Sequence, residues 1–162
     1  MILRNMNTTI DMRYTLMNKG NEVLLAVMYL LGEVWGRTYL QKLLFLLNTE
    51  IFDNTLFTFA SYKYGPFSID INTAITGFLK ENLMKEHEEQ TKSSTIAYRY
   101  TLTRKGKQVA KQIFQQNLSN DEQRALKEYT NRFETFTPTD LLLYVYKKYP
   151  EFTRYSIFNK HH

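Results

Sequence analysis

Apolar residues return every three or four positions from Val23 to Leu31, where Val23, Leu24, Val27, Met28 and Leu31 make one stripe that Gly32 closes. The spacing predicts a first helix. Beyond "GEVWGR", Leu40, Leu43, Leu44 and Leu47 repeat the pattern with Phe45 and Leu46 beside them. This second helix, capped by Thr38, is apolar almost all round and must be enclosed by protein. In "LFTFASYKY" the period shortens to two, with Phe57, Phe59 and Ser61 alternating against Thr58, Ala60 and Tyr62, which predicts a short extended segment. Gly65-Pro66 should break it, since proline fixes its own φ and drives the preceding residue out of the α region. A third helix can then start: Ser68 is placed to cap it and Asp70 sits in its first turn, where a negative charge suits the helix dipole. Ile71, Ala74, Ile75, Phe78 and Leu79 form its apolar face, leaving Asp70, Asn72, Thr73, Thr76 and Lys80 on the other.

Further on, "ENLMKEHEEQ" runs into a strand, "TKSS" turns, and "TIAYRYTL" alternates Ile96, Tyr98 and Tyr100 against Ala97, Arg99 and Thr101, together a β-hairpin. Helical spacing resumes with Thr103 as cap, Gly106 allowing close approach, and Val109, Ala110, Ile113 and Phe114 buried. Ser119 or Asn120 before Asp121 and Glu122 opens another helix, and a last one starts near Thr139 and stops by Pro150. The first dozen residues show no period. The chain divides into a mobile segment at 1–20, a domain at 21–117, helices at 118–160 that either brace it or pair two copies, and His161-His162, read as a tag remnant.

Helix, helix, short strand, helix, β-hairpin and helix, in that order, predict a mainly α fold with a small β-hairpin. It is a winged helix-turn-helix with a C-terminal helical extension. Composition narrows its uses. No cysteine is present, which removes disulfides, thiol nucleophiles and cysteine zinc sites, and the apolar runs are too short to span a bilayer. With His87 the only internal histidine, and without a Gly-rich phosphate loop or a His-Glu helix motif, neither triad nor metal chemistry has its parts. A non-catalytic, cofactor-free cytoplasmic protein is expected. Trp35, between two glycines, is expected to pack rather than anchor a partner.

The formal charge is +5, and from Gln90 to Asn120 the basic residues Lys92, Arg99, Arg104, Lys105, Lys107 and Lys111 meet no Asp or Glu. A winged helix with such a run is expected to bind double-stranded DNA through Lys63, Ser68, Asn72, Thr73, Thr76 and Lys80 around the third helix and Lys92, Arg99, Arg104, Lys105 and Lys107 around the wing. Arginine is missing from the helix face and an aspartate is present, so phosphate contacts would supply most of the affinity. The plainer reading of the same run is a solvated face.

"LQKLLFLLN", "FTFASYKYGPFSIDINTAI" and "LKENLMKE", with "LLLYVYKKYPEFTRYSI" near the end, resemble the Panacea-domain proteins and the related YwgA-like prokaryotic winged-helix family. The matching motif positions are Gln41, Lys42, Tyr64, Gly65, Pro66 and Ser68, of which Tyr64, Gly65 and Pro66 form the turn. The resemblance implies a winged-helix domain from a prokaryote or its mobile elements, acting through protein contacts as antitoxin or adaptor in the Panacea group. It assigns no catalysis to these residues. Two functions follow: a DNA-binding transcriptional regulator, or a protein-interaction module holding a partner such as a toxin.

Overall fold

A computed structural model describes residues 17–157; the expected mobile segment, up to residue 16, and the histidine pair lie outside them. Helix α1 (Lys19–Leu31) starts two residues before the domain boundary drawn from the sequence, where the Asn18 side chain accepts from the Asn21 N–H. Every residue from Val23 to Met28 is fully buried, which makes α1 the axis of the core. A strand unmarked in the sequence follows, β1 (Glu33–Trp35), and then α2 (Arg37–Glu50). Gly36, not Thr38, occupies the N-cap of α2, at φ 85°. Glycine is what lets the chain turn this corner directly out of the strand. As the all-round apolar pattern requires, α2 is buried from Tyr39 to Asn48.

The Gly-Pro pair does not interrupt structure as expected. It belongs to β3 (Gly65–Phe67), which pairs antiparallel with β2 (Ala60–Tyr62) in a small hairpin turning at Lys63-Tyr64. Gly65 holds φ at 84°, and a Cβ there would come within 2.9 Å of Leu142 and 3.2 Å of Tyr146. Helix α3 (Ile69–Lys80) follows, with Ile71, Ala74, Ile75 and Phe78 buried. Strands β4 (Met84–Gln90) and β5 (Ile96–Leu102) form the long hairpin, and β1 completes an antiparallel sheet of order β1-β5-β4. The arrangement is the mainly helical, winged-helix-like architecture that the pattern predicts.

Helix α4 (Arg104–Gln112) starts where Thr103 Oγ1 accepts from the Gly106 N–H, and runs into one π-helical turn (Ile113–Asn117). Gly106 lies against backbone: an added Cβ would stand 1.8 Å from the Leu83 carbonyl oxygen. Helix α5 (Asn120–Phe133) opens on a capping box between Ser119 and Glu122. Helix α6 (Pro138–Lys148) opens on another, between Thr137 and Asp140, and starts one residue before the expected Thr139, since Pro138 is preorganised for a first turn. Leu126, Phe133, Leu141 and Val145 join the core of α1 and α2, so α5 and α6 share one hydrophobic core with the helices before them. The apolar side of α6 at Leu142 and Val145 is buried within the chain. Glu50, at the end of α2, ties them down: it accepts from Tyr129 and Tyr149 at 2.6 Å each and pairs with Lys148 at 2.7 Å.

Candidate functional site

Two polar side chains on the buried face of α2 fix the hairpin and the start of α3. The Gln41 amide bonds the Ser68 backbone twice, donating to its carbonyl at 2.9 Å and accepting from its N–H at 2.8 Å. From the next position, Lys42 Nζ donates to the Pro66 carbonyl at 2.9 Å. Both residues are 2 % exposed. Strand β3 is too short to satisfy its own backbone, and α2 supplies what the ladder does not. Ser68 is therefore no phosphate contact. It stands at the N-cap of α3 but is fully buried, its hydroxyl makes no capping bond, and its Oγ has no partner.

Lys42 also lines a cavity of about 110 Å³ between the first turn of α2, the hairpin and α3, walled by Arg37, Thr38, Tyr62, Tyr64 and Asn72. Burial pushes the Lys42 ammonium down to about 8, and among the described residues no carboxylate pairs with it. Asn72, which also lines it, has a buried Oδ1 without a partner. Thr73, its neighbour on α3, instead faces a groove of about 450 Å³ with Asp70 and Gly77, beside Asn18 and Asn21 at the start of α1. The polar positions of α3 thus serve two separate surfaces, with Thr76 and Lys80 exposed to solvent.

Above the cavity stands the wing. Arg37 donates through Nε to the Tyr100 hydroxyl at 3.0 Å, lies 5.5 Å from the centre of that ring, and has Glu86 at 3.6 Å. The Tyr100 hydroxyl in turn donates to Glu86. Burial first, then Glu86, raises the Tyr100 phenol above its ordinary value. Residues on one strand face alternate, so Tyr98 and Ile96 continue the Tyr100 face outward, opposite Glu88 and Gln90. Both are exposed, as are Tyr62, Tyr64 and, at 71 %, Ile69 in the first turn of α3. This set was not legible as a set: the alternation of β5 marks Ile96 and Tyr98 as inward, but they lie beyond the part of the hairpin that the core covers.

The basic wing expected from the sequence is not assembled. Arg99 lies on the opposite sheet face, bonded to Glu89 at 3.0 Å, near Glu33 at 3.5 Å and 5.8 Å from the Trp35 ring. Its charge is already answered. Trp35 itself is 45 % exposed on the edge strand rather than packed. Lys92 is in the turn at the wing's tip, whereas Arg104, Lys105 and Lys107 follow its base; the six steps from Gln90–Ile96 to Met84–Leu102 put about 20 Å between them. Lys63 is exposed at the tip of the small hairpin. At the base, Thr103 donates through Oγ1 to the Asn82 carbonyl at 2.7 Å, which brings the first turn of α4 to the end of α3 and so Arg104 and Lys107 to the neighbourhood of Lys80. Unlike Arg99, none of Lys63, Lys80, Lys92, Arg104, Lys105 and Lys107 forms an ion pair among the described residues.

No group of three or more His, Asp or Glu side chains that could hold a metal occurs among the described residues, and none of their helices is long and apolar enough to cross a membrane. The chain matches no family model and no curated protein.

Proposed function

We propose that the protein is a non-catalytic binding module that holds a partner protein against the aromatic surface around Arg37, as an adaptor or antitoxin does. The observation carrying this reading is the exposure of Tyr62 and Tyr64, which line one cavity with the partly buried Arg37, and of Tyr98 and Ile96 on the strand face of Tyr100, to which Arg37 donates. Tyrosine and arginine supply most hot spots of protein interfaces, because each offers large contact area with a polar end that finds a partner. The carboxylates Glu86 and Glu88 share the strand face of Tyr98 and Tyr100, where they would repel a phosphate backbone. A cross-linked complex isolated from the source cell tests it: cross-links should fall on β2–β3 and the wing, and Tyr62→Ala/Tyr98→Ala should cut partner retention at least tenfold (~1.4 kcal/mol) with the fold intact. Unchanged retention sinks the reading.

A second reading, a DNA-binding transcriptional regulator, is favoured by Lys80, Arg104, Lys105 and Lys107, which stand unpaired where α3 meets α4. It requires that random duplex DNA bind at low salt, weaken steeply as salt rises, and lose affinity on replacing Arg104, Lys105 and Lys107 with Ala. Absence of binding at low salt removes it.

A further inference from the structure

The cavity under the Tyr-Gly-Pro hairpin contains a charge with no counter-charge. Lys42 offers three donors, of which the Pro66 carbonyl takes one, and no acidic side chain of the described residues reaches it. Leaving a cation in such a place is costly unless something negative joins it. The surroundings point the same way. Arg37 and Thr38 on the cavity wall belong to the first turn of α2, whose N-terminus has no side-chain cap and no acidic residue, so free N–H groups and the positive end of a 14-residue helix lie beside it. Asn72, with its unpartnered amide oxygen, can rotate the amide to present its NH₂ instead. Tyr62 and Tyr64, both exposed, complete the lining. Arg37 already faces Glu86, so the unanswered charge is that of Lys42.

We propose that this cavity is a binding site for a small oxyanion, a carboxylate or phosphate group, held by the Lys42 ammonium with the α2 N-terminus and Asn72. About 110 Å³ admits the charged head of such a group and little more. Bound there, the anion would join α2, the hairpin and the start of α3. The site does not depend on the partner reading: the anion can be a free small molecule, or an acidic side chain of a docked protein segment seated between Tyr62 and Tyr64.

Titration of the full chain with inorganic phosphate and with acetate, against chloride at equal ionic strength, tests it. Saturable binding of one ion, with Kd near or below about 1 mM, is expected, with amide shifts in labelled protein confined to the first turn of α2, Asn72 and the hairpin. Lys42→Met, which keeps the volume, should weaken it at least tenfold; Asn72→Ala, at a half-exposed position, should weaken it less. Absence of saturation, or binding that Lys42→Met leaves unchanged, overturns the proposal. A capped glutamate tripeptide distinguishes the sources. Binding at least tenfold tighter than acetate, lost in Tyr62→Ala, assigns the anion to a protein segment; binding no tighter than acetate assigns it to a free ion. Should no partner protein ever engage the aromatic surface, the ion titration still stands or falls by itself.

Discussion

Replacing Lys42 with methionine should make the protein more stable at neutral pH and remove a pH dependence that the wild type shows. Burial lowers the Lys42 ammonium from 10.5 to about 8. That difference corresponds to roughly 3 kcal/mol that the native state spends on keeping the group charged and buried. Lys42 is 2 % exposed, so solvent screening removes little of it. Methionine keeps an unbranched side chain of similar size but leaves the Pro66 carbonyl without its donor, a loss of about 1–2 kcal/mol. The net gain at about pH 7 is therefore about 1–2 kcal/mol. Because the folded value lies below the unfolded one, the native lysine gives up its proton first as pH rises, and the unfolded chain then binds more protons. Wild-type stability consequently recovers between about 8 and 10.5. At about pH 9.5 less than half of that cost remains, so the gap between variant and wild type should narrow by about 2 kcal/mol. Tyr39, whose phenol burial and then Glu134 push up to about 12, acts in both proteins and cancels in the difference. Urea unfolding followed by circular dichroism at the two pH values measures it. A gap that does not change with pH would refute the reasoning, as would a variant less stable than wild type at pH 7.

Gly106→Ala should cost about 3 kcal/mol or more, since the new Cβ meets the Leu83 carbonyl at 1.8 Å and that backbone cannot yield cheaply; melting should fall by roughly 6–12 °C. Ser119→Ala dissolves the capping box with Glu122 and should cost about 1 kcal/mol in urea unfolding, with function untouched. At Glu50, burial alone would raise the carboxyl, but bonds from Lys148, Tyr129 and Tyr149 outweigh it and hold the group below its ordinary value. Its stabilisation is present above the unfolded carboxylate pKa of about 4.5 and lost as pH falls through the lower folded value. Glu50→Gln should therefore cost about 2 kcal/mol near pH 7 and flatten the acid side of the stability profile; an unchanged acid limb would remove Glu50 as the link between α2, α5 and α6.

The chain's own pattern determined the helices, the long hairpin, the cap at Thr103 and a capped start at Ser119 or Asn120, because each depends on residues only a few positions apart and on a period that one face of solvent imposes. Gly106 was legible for the same reason, as a small residue where a capped helix must pass close to its neighbour. What depended on long-range closure was not. Strand β1 exists because β5 offers it an edge, and no period is visible in the three residues Glu33–Trp35. The run of cations without acids along residues 90–120 suggested one basic surface, but β4 and β1 bring Glu89 and Glu33 to Arg99 while the hairpin's length separates Lys92 from Arg104. Charge patterning along a chain records neighbours in sequence, whereas Coulomb energy counts neighbours in space. Lys42 shows the same division: helical spacing placed it on α2, and only the packing of the hairpin over that helix decided that its ammonium would be shut in a cavity without a carboxylate.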